Sequence, residues 1–412
     1  MRSLLILFFL TLASVEILAA KSAFSAAHTD ISTNLLQGLP NSERLRFLET
    51  VWNKLREKSP FDVTKALILY RLLKVDFCNC RTIDPLELQA AQTLQQELLQ
   101  EITNRCAHAL AGVLNVEVPP DNSDFHNLLE FYVTDTQELP LLLNIIYTAI
   151  DKVYNWQPSD VLAIRLWRLN QFSDRISFSI RVQAQLYLYY KFNSRGDVND
   201  DYLLIFGYNM QQIHNDPRQN QLEANLKRRL NNAKSSLPSA LQYFYLKPNF
   251  CLYNKGRKEY IYTTEGMEID GERRFIFNWV DPSYVDDHGK WRANLTDVPK
   301  PNGGVKLKVA LLSIKFYMYM YLEKDLGNYM DVVAAWRTGS APATSYWNVE
   351  LVNNELIFSQ DGKLMCASDR LYDKDRRYVK AFDHSAYSYS DQVCQWIAGE
   401  CHAEDLEKTL TT

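Results

Sequence analysis

The chain has 412 residues, of which 47% are apolar and 23% charged, an ordinary globular composition with enough length for two packed domains. Its formal net charge of −4 is spread evenly over both halves. Neither half has the positive excess that a phosphate backbone demands, so nucleic acid is excluded as a partner. The most basic run, Lys227-Arg228-Arg229, falls on a polar helix candidate and reads as a solvated face.

Arg2 precedes an apolar run from Leu4 to Ala13, and small residues follow near Ala19 to Ala23. The run is too short to span a bilayer, which predicts a signal peptide over residues 1–20, a secreted product and no membrane insertion. From Asn41 to about Ser236 the apolar positions recur at three- and four-residue spacing, the signature of an all-α bundle. Asn41 or Ser42 caps a first helix with Leu45, Leu48, Val51, Trp52 and Leu55 on one face. Ser59 with Pro60, and Asp84 with Pro85, start the next two. Six more are predicted over Asp124–Val133, Leu139–Tyr154, Ser159–Asn170, Asp174–Phe192, Asp200–His214 and Pro217–Lys234. The alternation in RISFSIRVQAQLYLYY allows a strand, but its helical neighbours favour a buried helix.

From residue 238 to 402 the pattern changes. KWRANL, YWNVEL and QWIAGE each place a tryptophan, Trp291, Trp347 and Trp396, at the head of a short run. Upstream of each lies a strand ending in an aromatic, at Trp279, Trp336 and Phe382, and two further strands precede that one. Four short strands thus recur three times at intervals of about fifty residues. Asn353-Asn354 and Asp361-Gly362 stand where tight hairpins must reverse. Twelve strands in three units predict a β-trefoil, with Trp291, Trp347 and Trp396 in its core and with LQYFYLK, near Leu241, opening the first unit. Closing such a barrel removes the free edges of many short strands. The predicted fold class is therefore a two-domain α plus β chain, a helical domain over 21–237 and a β-trefoil over 238–402, with a flexible tail over 403–412.

Seven cysteines follow the signal, in a chain bound for an oxidising compartment. Cys251, Cys366, Cys394 and Cys401 are candidates for disulfides within the second domain. The odd count leaves one thiol among Cys78, Cys80 and Cys106 for an interchain bridge, and a disulfide-linked homodimer is the simplest result. Asn294-Leu295-Thr296 is a glycosylation acceptor.

Signals of catalysis are absent from the sequence. It holds no phosphate-binding loop and no nucleophile elbow, and its seven histidines stand singly. Cys78, Cys80, Cys106 and His108 lack the spacing of a zinc module, so no metal or cofactor is expected. Asp286, Asp287 and His288 are neighbours on a Gly-containing turn and read as a loop, leaving no catalytic residue to name.

The signal, the helical half and the threefold Trp-led repeat resemble the silkworm thirty-kilodalton haemolymph lipoproteins over about Leu241 to Cys401. Size, odd cysteine count and two-part layout are similar to the saglin-like salivary proteins of Anopheles mosquitoes. That resemblance implies a secreted salivary protein with no known reaction, a covalent dimer, and for some members a proposed role in sporozoite attachment. The expected function is a secreted, non-enzymatic interaction protein at a host or pathogen interface, its partner a host or parasite surface protein. Two alternatives stand beside it. One is a β-trefoil lectin for carbohydrate, marked by an Asp or Asn beside an exposed aromatic. The other is a lipid or small apolar ligand carrier with a cavity lined by residues such as Leu141, Leu142, Ile145 and Ile146.

Overall fold

The computed structural model describes residues 40–401, apart from 58–60, 75–76, 78–82, 116–138, 156–158, 172–175, 281–285, 301–303 and 325–330. The expected signal over 1–20, the tail over 403–412, the helix over Asp124–Val133, and Cys78 and Cys80 lie outside the described residues. The chain divides into two compact units, Met1–Val113 with Val118–Lys152, and Leu114–Glu117 with Val153–Thr412.

The first unit is helical: α1 (Asn41–Arg56), α2 (Val63–Leu73), most of α3 (Pro85–Asn115) and α4 (Leu139–Val153). Leu48, Trp52 and Leu55 form the buried stripe of α1, and Trp52 meets Phe61 edge-on with ring centroids 6.4 Å apart. Asp62 caps α2 by accepting from the Lys65 N–H at 3.0 Å, so this helix begins three residues beyond the expected Pro60. Asp84 accepts from the Leu86 N–H at 2.8 Å and starts α3, with Pro85 at its first position.

The second unit opens with α5 (Ser159–Trp167), α6 (Phe178–Arg195), α7 (Asp200–Asn215), α8 (Ala224–Ser235) and α9 (Ser239–Leu246). The alternating segment is the helix α6, capped by Ser177 and ended by Gly196 at φ 71°. Gln185 and Asn209, both fully buried, donate to the Ala163 carbonyl at 2.7 and 3.3 Å and tie α5, α6 and α7 together. LQYFYLK is not a strand. Its apolar residues Leu241, Phe244 and Tyr245 lie on one buried helical face of α9, and the sheet begins only at Phe250. The expected boundary at residues 237 and 238 falls between α8 and α9, and the second unit runs through it. Tyr208 of α7 donates to Asp297 at 3.1 Å, and Asp200 accepts from the Asn353 N–H at 3.1 Å, so α7 is bonded directly to the sheet.

Twelve antiparallel strands follow: β1 (Phe250–Asn254), β2 (Glu259–Glu268), β3 (Arg273–Trp279) and β4 (Lys290–Pro299); β5 (Val305–Ser313), β6 (Met318–Glu323), β7 (Val332–Trp336) and β8 (Tyr346–Val352); β9 (Glu355–Gln360), β10 (Lys363–Leu371), β11 (Arg376–Asp383) and β12 (Trp396–Gly399). In each set of four the first strand pairs with the fourth, and each fourth strand pairs with a first of the neighbouring set, β12 returning to β1. That ring is closed. The second and third strands form hairpins, and β3, β7 and β11 pair with one another in a triangle.

The repetition extends to single residues. Trp291, Trp347 and Trp396 are completely buried, and their indole N–H groups donate to the carbonyls of Ile261, Met320 and Met365. Those acceptors occupy one place in β2, β6 and β10. Three positions before them stand Lys258, Tyr317 and Gly362, all with positive φ, at 59°, 53° and 77°. Asn353-Asn354 and Asp361-Gly362 also have positive φ throughout, the backbone of two-residue hairpins.

Tyr317 holds the left-handed conformation that Gly362 adopts without strain, and its side chain is 69% exposed. Tyr317→Gly is expected to raise unfolding stability by about 0.5–1 kcal/mol, because little packing is lost and the steric cost disappears. Urea denaturation of the two proteins measures this; a loss of stability would show that the turn carries no strain.

Candidate functional site

Register places the site. Trp279 ends β3 opposite Tyr260 on β2, and Tyr262, two residues along, leans on it edge-to-face with centroids 5.5 Å apart and planes at 88°. On its other side Trp279 pairs with Arg376, the first residue of β11. Arg376 is fixed by Asp373, which takes its Nε at 2.7 Å and its Nη2 at 2.6 Å, while Asp373 also caps the tip of the β10–β11 hairpin by accepting from the Asp375 N–H at 3.0 Å. The short helical turn before β4 brings His288, whose Nδ1 contacts Asp286 and whose Nε2 lies 3.1 Å from Glu265. Together with Thr264 and Asp375 these residues enclose a cleft of about 370 Å³.

The groups in this cleft differ in what they can offer. Burial pushes the Tyr262 phenol well up, so it stays a neutral hydroxyl, and it has no hydrogen-bond partner among the described residues. Arg376 directs Nη1 at the thioether of Met267, a weak acceptor. Thr264 is committed, its hydroxyl donating to the carbonyls of Met267 and Phe275 at 3.2 and 3.1 Å. Burial raises the Asp286 carboxyl, but the backbone N–H and ring of His288, with Lys315 nearby, outweigh it and hold the group below the usual carboxylate range. Aromatic faces, a half-satisfied guanidinium and ionised carboxylates therefore share one hollow. It can hold a polar molecule by stacking and hydrogen bonding.

Most residues named from sequence lie elsewhere. Trp291, Trp347 and Trp396 sit in the core of the ring. Cys251 is bonded to Cys401 and Cys366 to Cys394. Cys106 is completely buried on α3. Asn294 is exposed on β4. Leu141, Leu142, Ile145 and Ile146 are packed inside the first unit, at most 6% exposed. Of the residues named from sequence, Trp279, Asp286 and His288 line the cleft, the last two from the short turn that was expected there. Asp286 and His288 do converge, because the turn folds back on the β2 residue Glu265. The cleft itself was missed, since its members come from β2, β3, the turn before β4 and the tip of β11. A signal existed in the repeat of Asp270-Gly-Glu-Arg-Arg-Phe as Asp373-Lys-Asp-Arg-Arg-Tyr.

No family model matches the chain, and no curated protein matches its sequence, so neither saglin-like nor silkworm relatives are found that way. Solved structures do match 37% of the chain at low identity. The designed threefold-symmetric protein ThreeFoil is 14% identical over 37% of this chain and 99% of its own, with a TM-score of 0.28. A salivary protein of the Cysteine and Tryptophan-Rich family from Culex quiquefasciatus is 12% identical over 37% of this chain and 94% of its own, with a TM-score of 0.28. The SDF2-like protein of Arabidopsis thaliana is 10% identical over 37% and 92%, again with a TM-score of 0.28.

Burial raises the Asp373 carboxyl, but Arg376 and the N–H groups of Asp375 and Arg376 outweigh it and hold the group below its ordinary 3.8. A depressed folded value means that the pair stabilises the fold above pH 3.8 and loses that contribution as pH falls through the lower folded value. Asp373→Asn is expected to cost about 0.5–1 kcal/mol at pH 6 for this partly exposed pair, with the gap to wild type shrinking towards pH 2.5. Urea denaturation across that range checks the sign; a gap that widens in acid would refute the assignment.

Proposed function

We propose that this chain is a secreted, non-enzymatic binding protein whose closed sheet is a β-trefoil, and that the cleft at Tyr262, Trp279 and Arg376 takes a saccharide. The observation that carries this is the meeting of an aromatic pair with carboxylates and a half-satisfied guanidinium in one cleft. It is the arrangement that distinguishes the lectin reading from the other two. Stacking holds the apolar face of a pyranose ring while carboxylates accept from its hydroxyls. The carrier reading draws less support, because its four named residues are packed inside the first unit, at most 6% exposed. Two disulfides suit an oxidising, extracellular setting, in keeping with the signal read from the sequence.

Dimerisation belongs to the same proposal. Four cysteines are paired within the chain and Cys106 is buried, so the bridge between copies falls to Cys78 or Cys80. Native mass spectrometry of secreted protein is expected to show a dimer that reductant separates; a monomer without reductant would refute the bridge. For the cleft, a glycan array is expected to report binding that Trp279→Ala lowers by about tenfold or more. An array on which wild type binds nothing, or on which the variant binds as well, would remove the saccharide reading.

A further inference from the structure

We infer, resting on the saccharide reading above, that the cleft is built for a sugar acid, and that the side chain of Glu323 stands elsewhere in the sheet where the ligand's carboxylate lies in the cleft. The argument compares three places that the strand register makes equivalent. At the second place Tyr321 and Trp336 repeat Tyr262 and Trp279, with ring centroids 5.8 Å apart. Arg273 repeats Arg376, since it pairs with Trp336 as Arg376 pairs with Trp279. Its Nε is held by Asp270 at 2.7 Å, as Asp373 holds Arg376.

One residue differs in effect. At the second place Glu323 accepts from Arg273 Nη1 at 2.8 Å and from the Tyr321 hydroxyl at 2.6 Å. In the cleft the corresponding residue is Thr264, whose hydroxyl reaches neither group. The second hollow persists at about 450 Å³, but its polar anchors are taken. The third place is closed. Cys366 and Phe382 stand where the other two have Tyr and Trp, the Cys366–Cys394 disulfide crosses it, and Tyr387 and Tyr389 pack against the bridge.

Glu323 therefore shows what satisfies this arginine and tyrosine together: one carboxylate. Arg376 Nη1, which meets only the weak thioether acceptor of Met267, and the Tyr262 hydroxyl present the same pair of donors, and no oxygen of the described residues accepts from either. Glu265, Asp286 and Asp375 around the rest of the cleft are acceptors when ionised, so the remainder of the ligand has to bring donors. A bare sulfate brings none, an inorganic phosphate brings only its own O–H, and neither offers a ring face to Trp279. A uronic or sialic acid brings a carboxylate, hydroxyls and a ring face for Trp279. An α-amino acid shares the carboxylate and a donor, and the test separates it.

Calorimetric titration of the full chain with D-glucuronate, N-acetylneuraminate, D-glucose and L-glutamate tests this. One sugar acid is expected to bind at one site per chain, about tenfold or more tighter than glucose. Tyr262→Phe, which keeps the ring and removes only the hydroxyl, is expected to lower that affinity several-fold and leave glucose unaffected. Thr264→Glu is expected to abolish binding, and Glu323→Thr to raise the stoichiometry from one towards two, with Trp336→Ala removing the gain. Glucose bound as tightly as the acids would overturn the carboxylate assignment and leave the saccharide reading intact. Failure of every sugar on wild type would overturn both, as would binding of glutamate alone. An unchanged stoichiometry in folded Glu323→Thr would overturn the role given to Glu323.

Discussion

An indole N–H sealed inside a protein has to find an acceptor, since leaving it unpaired costs more than the bond itself returns. Trp291, Trp347 and Trp396 meet this demand in one way. Each stands at the first or second place of the fourth strand of its set, is fully buried, and donates to a carbonyl of the second strand of the same set. The bond ties a ring strand to a hairpin strand that the ladder does not pair with it. Three such ties set the depth and register of three hairpins, and the triangle of β3, β7 and β11 follows from hairpins held at equal depth.

Register fixed in this way leaves the residues outside the ring to diverge. The three outer places keep the same backbone but hold an open cleft, a hollow with an internal carboxylate and a disulfide-bridged apolar cluster. The turns show the same tolerance, with Lys258 and Tyr317 kept in a conformation that Gly362 adopts freely. A closed sheet with twelve short strands can carry such local strain because each turn is held at both ends by paired strands.

The sheet was largely legible in the sequence because tryptophan, turn pairs and strand aromatics recur together, and recurrence separates pattern from chance. Helix starts were legible where Pro and a cap coincide, as at Asp84-Pro85. They were misplaced where a better cap, Asp62, stood nearby. LQYFYLK misled because aromatic content favours strands, whereas Leu241, Phe244 and Tyr245 fall at helical spacing and pack inward. The cleft was illegible for a geometric reason. Its aromatic pair is local to one hairpin, but Arg376 arrives from another hairpin about a hundred residues later, and only the pairing of β3 with β11 brings the two together. The repeated Asp-to-Arg spacing was visible, but its meaning depended on that pairing.

Charge decides what such a site can do. An arginine alone in the cleft would draw any anion, yet Asp373 already neutralises it and three further carboxylates face the same space. What remains of Arg376 is direction and not net charge, a fixed N–H edge held by a neighbour within its own hairpin tip. Because Asp373 immobilises the guanidinium in the folded protein, a ligand that uses this edge need not order it, and less affinity is lost to freezing a flexible side chain. Selectivity then rests on matching donors and acceptors one by one, with wrong ligands rejected by unpaired buried groups more than by shape. His288 contributes to this rigidity. Held between Asp286 and Glu265, it fixes the carboxylate rim in place.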